Sequence, residues 1–549
     1  VKPHYKMTER GPELIGALGQ SSARRITAEA FTAASRSHPD MRRWTPLAGS
    51  ADADLLSEQG TIVSRSRDLT RNHGVADAGR QTYQDNIVGC GLRLSAKPNW
   101  KLLKKDRDWA EEFGNVIEAH WGTFFGTTAC DVTGQLTGDG LTAQIQNSAF
   151  LNGEGLALPL WLPKRGSRFS TCLQVIEPDR LSNPSYVPDS EIMRGGIKFD
   201  RYGRPLVYHI RKTHPGDMFL GLGSGLGLGE WEEIPAFTPH GRVRVIHANA
   251  SREERANYSR GKPSLTAVMR QFKVLGDLTN AELKAAVVNA MVALVTESSI
   301  GQEGLVELLS NNPEALANYQ TSLASRGGAV DFAGGRIIPL QLGETLSSFS
   351  SNRPNTSFDS FVTMLFRHIA TGIHIPYELL MKDFSKTNYS SARAALLEAW
   401  RFFRGRRKWL ATYWLTPVYR LFLEEIVNTG LVDAPDFYEN ADAYCGCRWI
   451  GDGRGWVDPL KEAQAAELRM ELNISTLEDE CAEQGGDWQE KLDQRARELK
   501  YIKDLEEKNQ ITFPSAADRP RAPIDTNPEE PIPGAGQNNT RPASAGLAV

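Results

Sequence analysis

Met381-Lys-Asp-Phe-Ser-Lys-Thr-Asn-Tyr-Ser-Ser-Ala-Arg-Ala-Ala-Leu-Leu-Glu-Ala-Trp400, running straight into Arg401-Phe-Phe-Arg-Gly-Arg-Arg-Lys-Trp-Leu410, is the stretch on which the reading of this chain turns. A short polar loop leads into a long basic and aromatic helix. Upstream, Ile373-His-Ile-Pro-Tyr-Glu-Leu-Leu380 carries Pro376, which should end one helix before the loop begins. Helix, proline stop, polar loop and long helix form a device for holding a loop out from a rigid frame. Such a loop suits contact with something passing by better than chemistry in a pocket.

Arg401 to Trp409 is the strongest nucleic-acid candidate, because cations neutralise phosphates and aromatic rings stack on bases. The competing and preferred reading makes Trp400, Phe403, Trp409, Tyr413 and Trp414 core anchors, with the arginines pairing acids on a neighbouring subunit. Composition bears on the choice. Among 549 residues, 40% are hydrophobic and 24% charged, with a formal net charge of -4. That fits an ordinary globular chain of roughly three or four structural units. A protein that clamps nucleic acid usually carries a positive excess, so any DNA contact here is local or weak.

The organisation is mixed α+β and mainly helical. Residues 1–60 read as a polar extended arm with a short helix or two. Helices follow at Thr61–Arg71, Ala76–Val88, Lys105–Phe125 and Leu141–Leu151, with a short strand at Leu92–Ser95. A β-rich module then offers strands at Leu156–Leu162, Thr171–Ile176, Gly196–Asp200, Pro205–Arg211 and Val243–His247. Inside it, Gly221–Gly229 lacks the Lys-Ser/Thr ending of a phosphate loop and reads as a linker. After Pro263, apolar residues at helical spacing run from Leu265 to Val295. A short mixed segment contains a strand at Gly335–Leu342, and a second apolar helix carries Phe358, Phe361, Val362, Leu365, Phe366 and Ile369. The helix from Ser390 should reach Asn428, with a kink or a restart at Pro417, where Thr416 would suit an N-cap. Capping boxes at Ser475–Glu478 and Asp487–Glu490 precede two more helices, the second reaching Lys508. Beyond Thr512, seven prolines and few large apolar groups predict a disordered tail.

Several function classes find no support. The longest apolar run, Ala285–Val295, is about half a bilayer span and contains Asn289, so no membrane segment is expected. Six scattered cysteines suit reduced thiols; Cys445 and Cys447 lack further ligands at zinc spacing, and neither metal nor cofactor is expected. His368 and His374 read as packing or surface residues. No Walker A loop, zincin motif or nucleophile elbow occurs, and no nucleophile, base and orienting group assemble, so the chain does not read as an enzyme.

Asp383–Ala394 with Trp400–Lys408 closely resembles the lambda-type phage portal protein family. So do Ala76–Leu94 with Pro98-Asn-Trp100, Ile450–Gln464 and Ser475–Ala482, all in consistent order over residues 60 to 510. The resemblance implies a virion protein, assembled in host cytoplasm, that forms a dodecameric ring at one capsid vertex and passes double-stranded DNA during packaging and ejection. It implies docking of the terminase large subunit and later of head-completion and tail adaptor proteins, and contact with the major capsid protein and scaffold.

The regions it implies are an N-terminal arm (1–60), a wing with the β-rich module (61–263), stem helix 1 (264–298), a clip (299–343) and stem helix 2 (344–375). A tunnel loop (376–390), a long wing helix and connection (391–454), a crown (455–510) and the tail (511–549) complete it. Lys382, Ser385, Lys386 and Asn388 are the residues expected to face DNA. The near-neutral charge agrees, because a duplex that must slide cannot be gripped tightly. The alternative is a monomeric helical DNA-binding protein using 401–409, with salt-sensitive affinity and no ring.

Overall fold

The computed structural model describes residues 4–8, 11–15, 32–36, 38–163, 166–217, 230–290, 294–298, 313–314, 317, 321, 344–348, 358–385, 387–453, 459–510 and 512. The glycine-rich 221–229 segment, the strand expected at 335–342, Lys386 and the tail beyond 512 lie outside these residues.

The arm contains an antiparallel hairpin, β1 (His4–Thr8) with β2 (Gly11–Ile15), where an extended arm with a short helix or two was expected. Helices α1 (Ala51–Leu55), α2 (Gln59–Asn72) and α3 (Gly74–Ile87) follow, then β3 (Arg93–Ala96), α4 (Arg107–Phe125) and α5 (Gly138–Asn152). Their starts are written in the sequence: Ser50, Asp106 and Thr137 each accept a backbone N–H of the first turn through the side chain.

The β-rich module holds two antiparallel sheets. β4 (Glu154–Trp161) lies between β5 (Thr171–Ile176) and β10 (Ile246–Asn249). The second sheet runs in order β6 (Met193–Arg194), β7 (Ile197–Phe199), β8 (Pro205–Arg211) and β9 (Trp231–Pro235). Leu156, Leu158, Ile197, Phe199, Tyr208 and Ile210 form the core of this module. The last strand sits three residues later than its expected start at Val243, and β6 and β9 had not been anticipated.

The module is tied to the segment leading into the next helix by a buried charge cluster. Glu154 is fully buried and accepts hydrogen bonds from Arg260 Nε (2.7 Å) and the Gly261 amide (2.8 Å), with His247 Nε2 at 2.8 Å. Arg260 donates its remaining N–H groups to the carbonyls of Pro178, Leu181 and Gly195. Burial alone would raise the Glu154 pKa; the Arg260 charge and the His247 hydrogen bond outweigh it and hold the group down at about 2. Gly153 adopts φ +85°, and a Cβ there would lie 2.2 Å from the Lys262 nitrogen, so two backbones cross at a distance only glycine permits.

Beyond this junction α6 (Met269–Ala290) buries Phe272 and Leu275, but from Thr279 to Ala286 no residue is buried and Leu283 is 63% exposed. The helix ends eight residues before the expected 298. β11 (Leu294–Ser298) pairs antiparallel with β12 (Glu344–Ser348), and the second apolar helix, α7 (Phe358–Gly372), begins at the first of the apolar residues expected to line it. Val295 and Thr296 are favoured in strands, and the helical periodicity extrapolated through Leu294 and Val295 misled.

A short helix α8 (Tyr377–Met381) precedes α9 (Tyr389–Leu410). No restart occurs at Pro417. α9 passes through a π segment, Ala411–Leu415, into α10 (Thr416–Asn428). Thr416 is helical rather than a cap, and its hydroxyl accepts from Trp449 Nε1 at 3.1 Å. The buried pairs along this helix are Trp409-Leu410, Trp414-Leu415, Val418-Tyr419 and Phe422-Leu423, and the five-residue step falls on the π segment. These side chains build the main core with α4: Trp121 stacks on Phe125 at 4.4 Å and Phe124 on Phe422 at 5.1 Å. Each such fully buried side chain contributes roughly 1.5–3 kcal/mol.

After α11 (Ala441–Tyr444), β13 (Cys447–Ile450) pairs with β3 across more than 350 residues of sequence. α12 (Pro459–Glu471), α13 (Leu477–Glu483) and α14 (Trp488–Asn509) close the chain. The cap of α13 is Thr476, one residue after the expected Ser475; the expected cap Asp487 accepts from the Gln489 and Glu490 amides. Among the described residues no helix is long and apolar enough to cross a membrane.

Candidate nucleic-acid interface

The polar loop is more constructed than its sequence suggests. Pro376 does not end the preceding helix. α7 stops at Gly372 with His374 in the left-handed conformation (φ 56°), its amide bonded to the Thr371 carbonyl and that of Ile375 to the Ala370 carbonyl. This is the double hydrogen bond of a Schellman termination with histidine where glycine is usual. Pro376 then opens α8, its carbonyl accepting from the Leu379 and Leu380 amides. α8 also ends on a left-handed residue, Lys382 (φ 54°), but here the Lys382 and Asp383 amides share the Glu378 carbonyl.

Each described loop residue expected to face DNA therefore also has local work. Ser385 donates its hydroxyl to Asp383 Oδ1 at 2.6 Å, and its amide bonds the same oxygen at 3.0 Å. Asn388 is the N-cap of α9, its Oδ1 accepting from the Ser391 amide at 2.8 Å. Lys382, Ser385 and Asn388 are all exposed. Among them only Lys382 presents a full positive charge. Lys386 lies outside the described residues.

The frame beneath the loop is rigid. Tyr83 of α3 is buried and donates its hydroxyl to the Ile373 carbonyl at 2.7 Å. Its ring meets Phe150, Phe402 and Phe403 edge-on, and His374 rests 5.3 Å from Phe402. Burial pushes the Tyr83 hydroxyl well above its ordinary value, so it remains a neutral donor.

The basic helix behind the loop is largely scaffold. Phe403, Trp409 and Trp414 are buried, whereas Trp400 and Tyr413 are half-buried. Arg407 stacks over Trp400 at 4.6 Å and donates to the carbonyls of Asn86, Ile87 and Asp452. A guanidinium thus caps the carbonyl end of α3, a role invisible in sequence because its partners lie some 320 positions away. Arg401 pairs with Glu398 of its own helix and Arg404 reaches Glu483 at 4.0 Å. His368 is exposed, and the Cys445 thiol is buried, which pushes it up to about 12.

Residues 37–407 match the model of the family described as phage portal protein, lambda family. Portal protein B of Escherichia phage lambda is 32% identical over 505 residues, covering 89% of this chain and 92% of that protein. The portal protein of Escherichia phage N15 is 31% identical over 503 residues, with the same coverage of both chains. A chain in a solved structure titled "Neck of empty GTA particle computed with C6 symmetry" is 14% identical, covering 68% of this chain and 84% of that one at a TM-score of 0.39. At that score the likeness carries no structural argument. The loop, its frame and the long helix behind it all fall within the matched span except the helix's last turn, and the chain belongs to the lambda family of phage portal proteins.

Proposed function

We propose that copies of this chain close into a dodecameric ring at one capsid vertex, and that double-stranded DNA passes through its centre during packaging and ejection. The observation that carries the reading is the correspondence with a lambda portal protein over 89% of the chain. The geometry agrees with it. α7 leaves Phe361 (45%) and Met364 (55%) exposed beside buried Leu365 and Ile369, and Leu283 of α6 is likewise uncovered. Apolar surface on two long helices suits burial against neighbouring copies in a head-to-tail ring.

In this reading residues 61–263 are the wing, α6 and α7 the helical parts of the stem, and 299–343 the clip facing the terminase large subunit and later the head-completion and tail adaptor proteins. Residues 376–390 are the tunnel loop and 455–510 the crown; the major capsid protein and scaffold meet the outer surface. Assembly takes place in host cytoplasm, and the role is structural, with no catalytic step. Lys382 supplies transient phosphate contact, repeated around the ring, without the tight binding that would arrest a sliding duplex.

Negative-stain images of the purified full chain test the ring: closed annuli are expected, and uniform monomers at high protein concentration would overturn it. Lys382→Asn combined with Lys386→Ala tests the loop. Asparagine tolerates the left-handed backbone, so charge is removed without strain. Rings should persist while DNA packaging falls, and unimpaired packaging in that double variant would remove the DNA-facing role.

A further inference from the structure

The two-stranded ribbon β3–β13 stands without a third strand among the described residues. In its register Arg448 faces Ser95 and Ile450 faces Arg93, while the Lys97 amide bonds the Gly446 carbonyl. Antiparallel alternation then turns the backbone groups of Cys447 and Trp449 away from β3, toward the outer edge. A cleft of about 340 Å³ lies there, walled by α9 and by the end of α13. Its lining includes the consecutive residues Arg448 to Gly451. A cavity against one face of a strand would meet alternate residues; this one meets the strand edge-on.

The chemistry of the walls is equally specific. Trp400 and Trp449 supply half-buried aromatic surface. Arg404, Arg407, Lys408 and Arg448 bring four cations against the two carboxylates of Asp452 and Glu483. Asp452 is engaged elsewhere, accepting from the Cys90 amide at 2.6 Å. Arg407 spends its N–H groups on neutral carbonyls, and Arg404 meets Glu483 only at 4.0 Å. Arg448 is already paired with Glu478 at 3.5 Å and Asp479 at 3.3 Å, so the cationic surplus beside the apolar wall and the open strand edge rests on Arg404 and Lys408.

We propose that this cleft docks an extended acidic segment of a partner protein, which adds to β13 as a third strand with its carboxylates toward Arg404 and Lys408 and its apolar side chains toward the tryptophans. Main-chain hydrogen bonds give such a complex its affinity, and the alternating side chains give it specificity. A nucleic-acid strand would satisfy the cations but would leave the strand edge unused and meet two carboxylates. The edge therefore favours a peptide. The site lies toward the opposite end of α9 from the polar loop.

The test uses the full chain and a fluorescein-labelled octapeptide alternating Asp or Glu with Val or Leu, followed by fluorescence anisotropy. Binding is expected, weakened about tenfold or more by Arg404→Glu with Lys408→Glu, both exposed positions on the outer face of α9. N-methylation of alternate peptide nitrogens, which keeps every carboxylate, should weaken it comparably. Absence of binding at millimolar peptide, indifference to the charge reversals, or equal affinity for the N-methylated peptide would each overturn the proposal. So would full displacement by a single-stranded oligonucleotide of equal charge. Ring formation by the double variant in negative stain, scored separately, keeps this outcome distinct from the portal reading.

Discussion

Replacing Glu154 by glutamine should destabilise the chain out of proportion to the single atom exchanged. The carboxylate is inaccessible to solvent and takes hydrogen bonds from Arg260 and Gly261, with His247 at 2.8 Å. Its pKa is held at about 2 against an ordinary 4.5, a depression that contributes about 3 kcal/mol. Removing one partner from a buried ion pair costs about 3–5 kcal/mol because the other charge is left stranded, and the two routes agree. Glutamine keeps the shape but points an amide at donors that need an acceptor. Burial lowers the His247 pKa, so at neutral pH that ring offers no charge to share.

The sign of the pH dependence follows. A depressed carboxyl stabilises fully above its unfolded value, near pH 4.5, and that contribution disappears as the pH falls toward 2. Urea unfolding followed by tryptophan fluorescence at fixed protein concentration should show a gap of about 3–5 kcal/mol between wild type and Glu154→Gln at pH 7, narrowing below pH 4. Glu111→Gln, which breaks an exposed pair with Arg107, serves as control and should cost under about 0.5 kcal/mol. A gap below about 1 kcal/mol at pH 7, or one that stays constant down to pH 3, would refute the reasoning.

Two smaller perturbations address the loop and the junction. Asn388→Ala should cost about 1 kcal/mol of helix stability and speed amide hydrogen exchange in the first turn of α9, at Ser391 above all; unchanged exchange there would show that the cap is idle. Gly153→Ala should cost at least about 2 kcal/mol, through left-handed strain plus collision with Lys262. Thermal unfolding of that variant at the wild-type temperature would mean that the crossing can open without penalty.

What was legible in sequence was local. Thr171–Ile176 and Pro205–Arg211 have the bounds their alternation predicts, and Asp487 caps the helix it precedes. The loop was found where Met381 to Asn388 placed it. What escaped was set by partners distant in the chain. Glu154 lies 93 positions from His247 and 106 from Arg260, and each alone is an unremarkable charged or polar residue. The capping of α3 by Arg407 escaped for the same reason. Leu294–Ser298 was misassigned because an apolar stripe fits a helix or a strand until its partner, here Glu344–Ser348, is known. His374 and Lys382 show a further limit: a left-handed helix terminator usually announces itself as glycine, and neither of these does.

The π segment between α9 and α10 has a consequence for how this chain can change length. An α-helix turns by about 100° per residue, so deleting one residue almost anywhere in α10 would swing Val418-Tyr419 or Phe422-Leu423 out toward water. Between Leu410 and Trp414 the same deletion would shorten the five-residue step to four and leave every buried pair facing inward. The long helix thus carries one surplus residue at a defined point. Single-residue loss there should be tolerated, while the same loss a turn later should unfold the core.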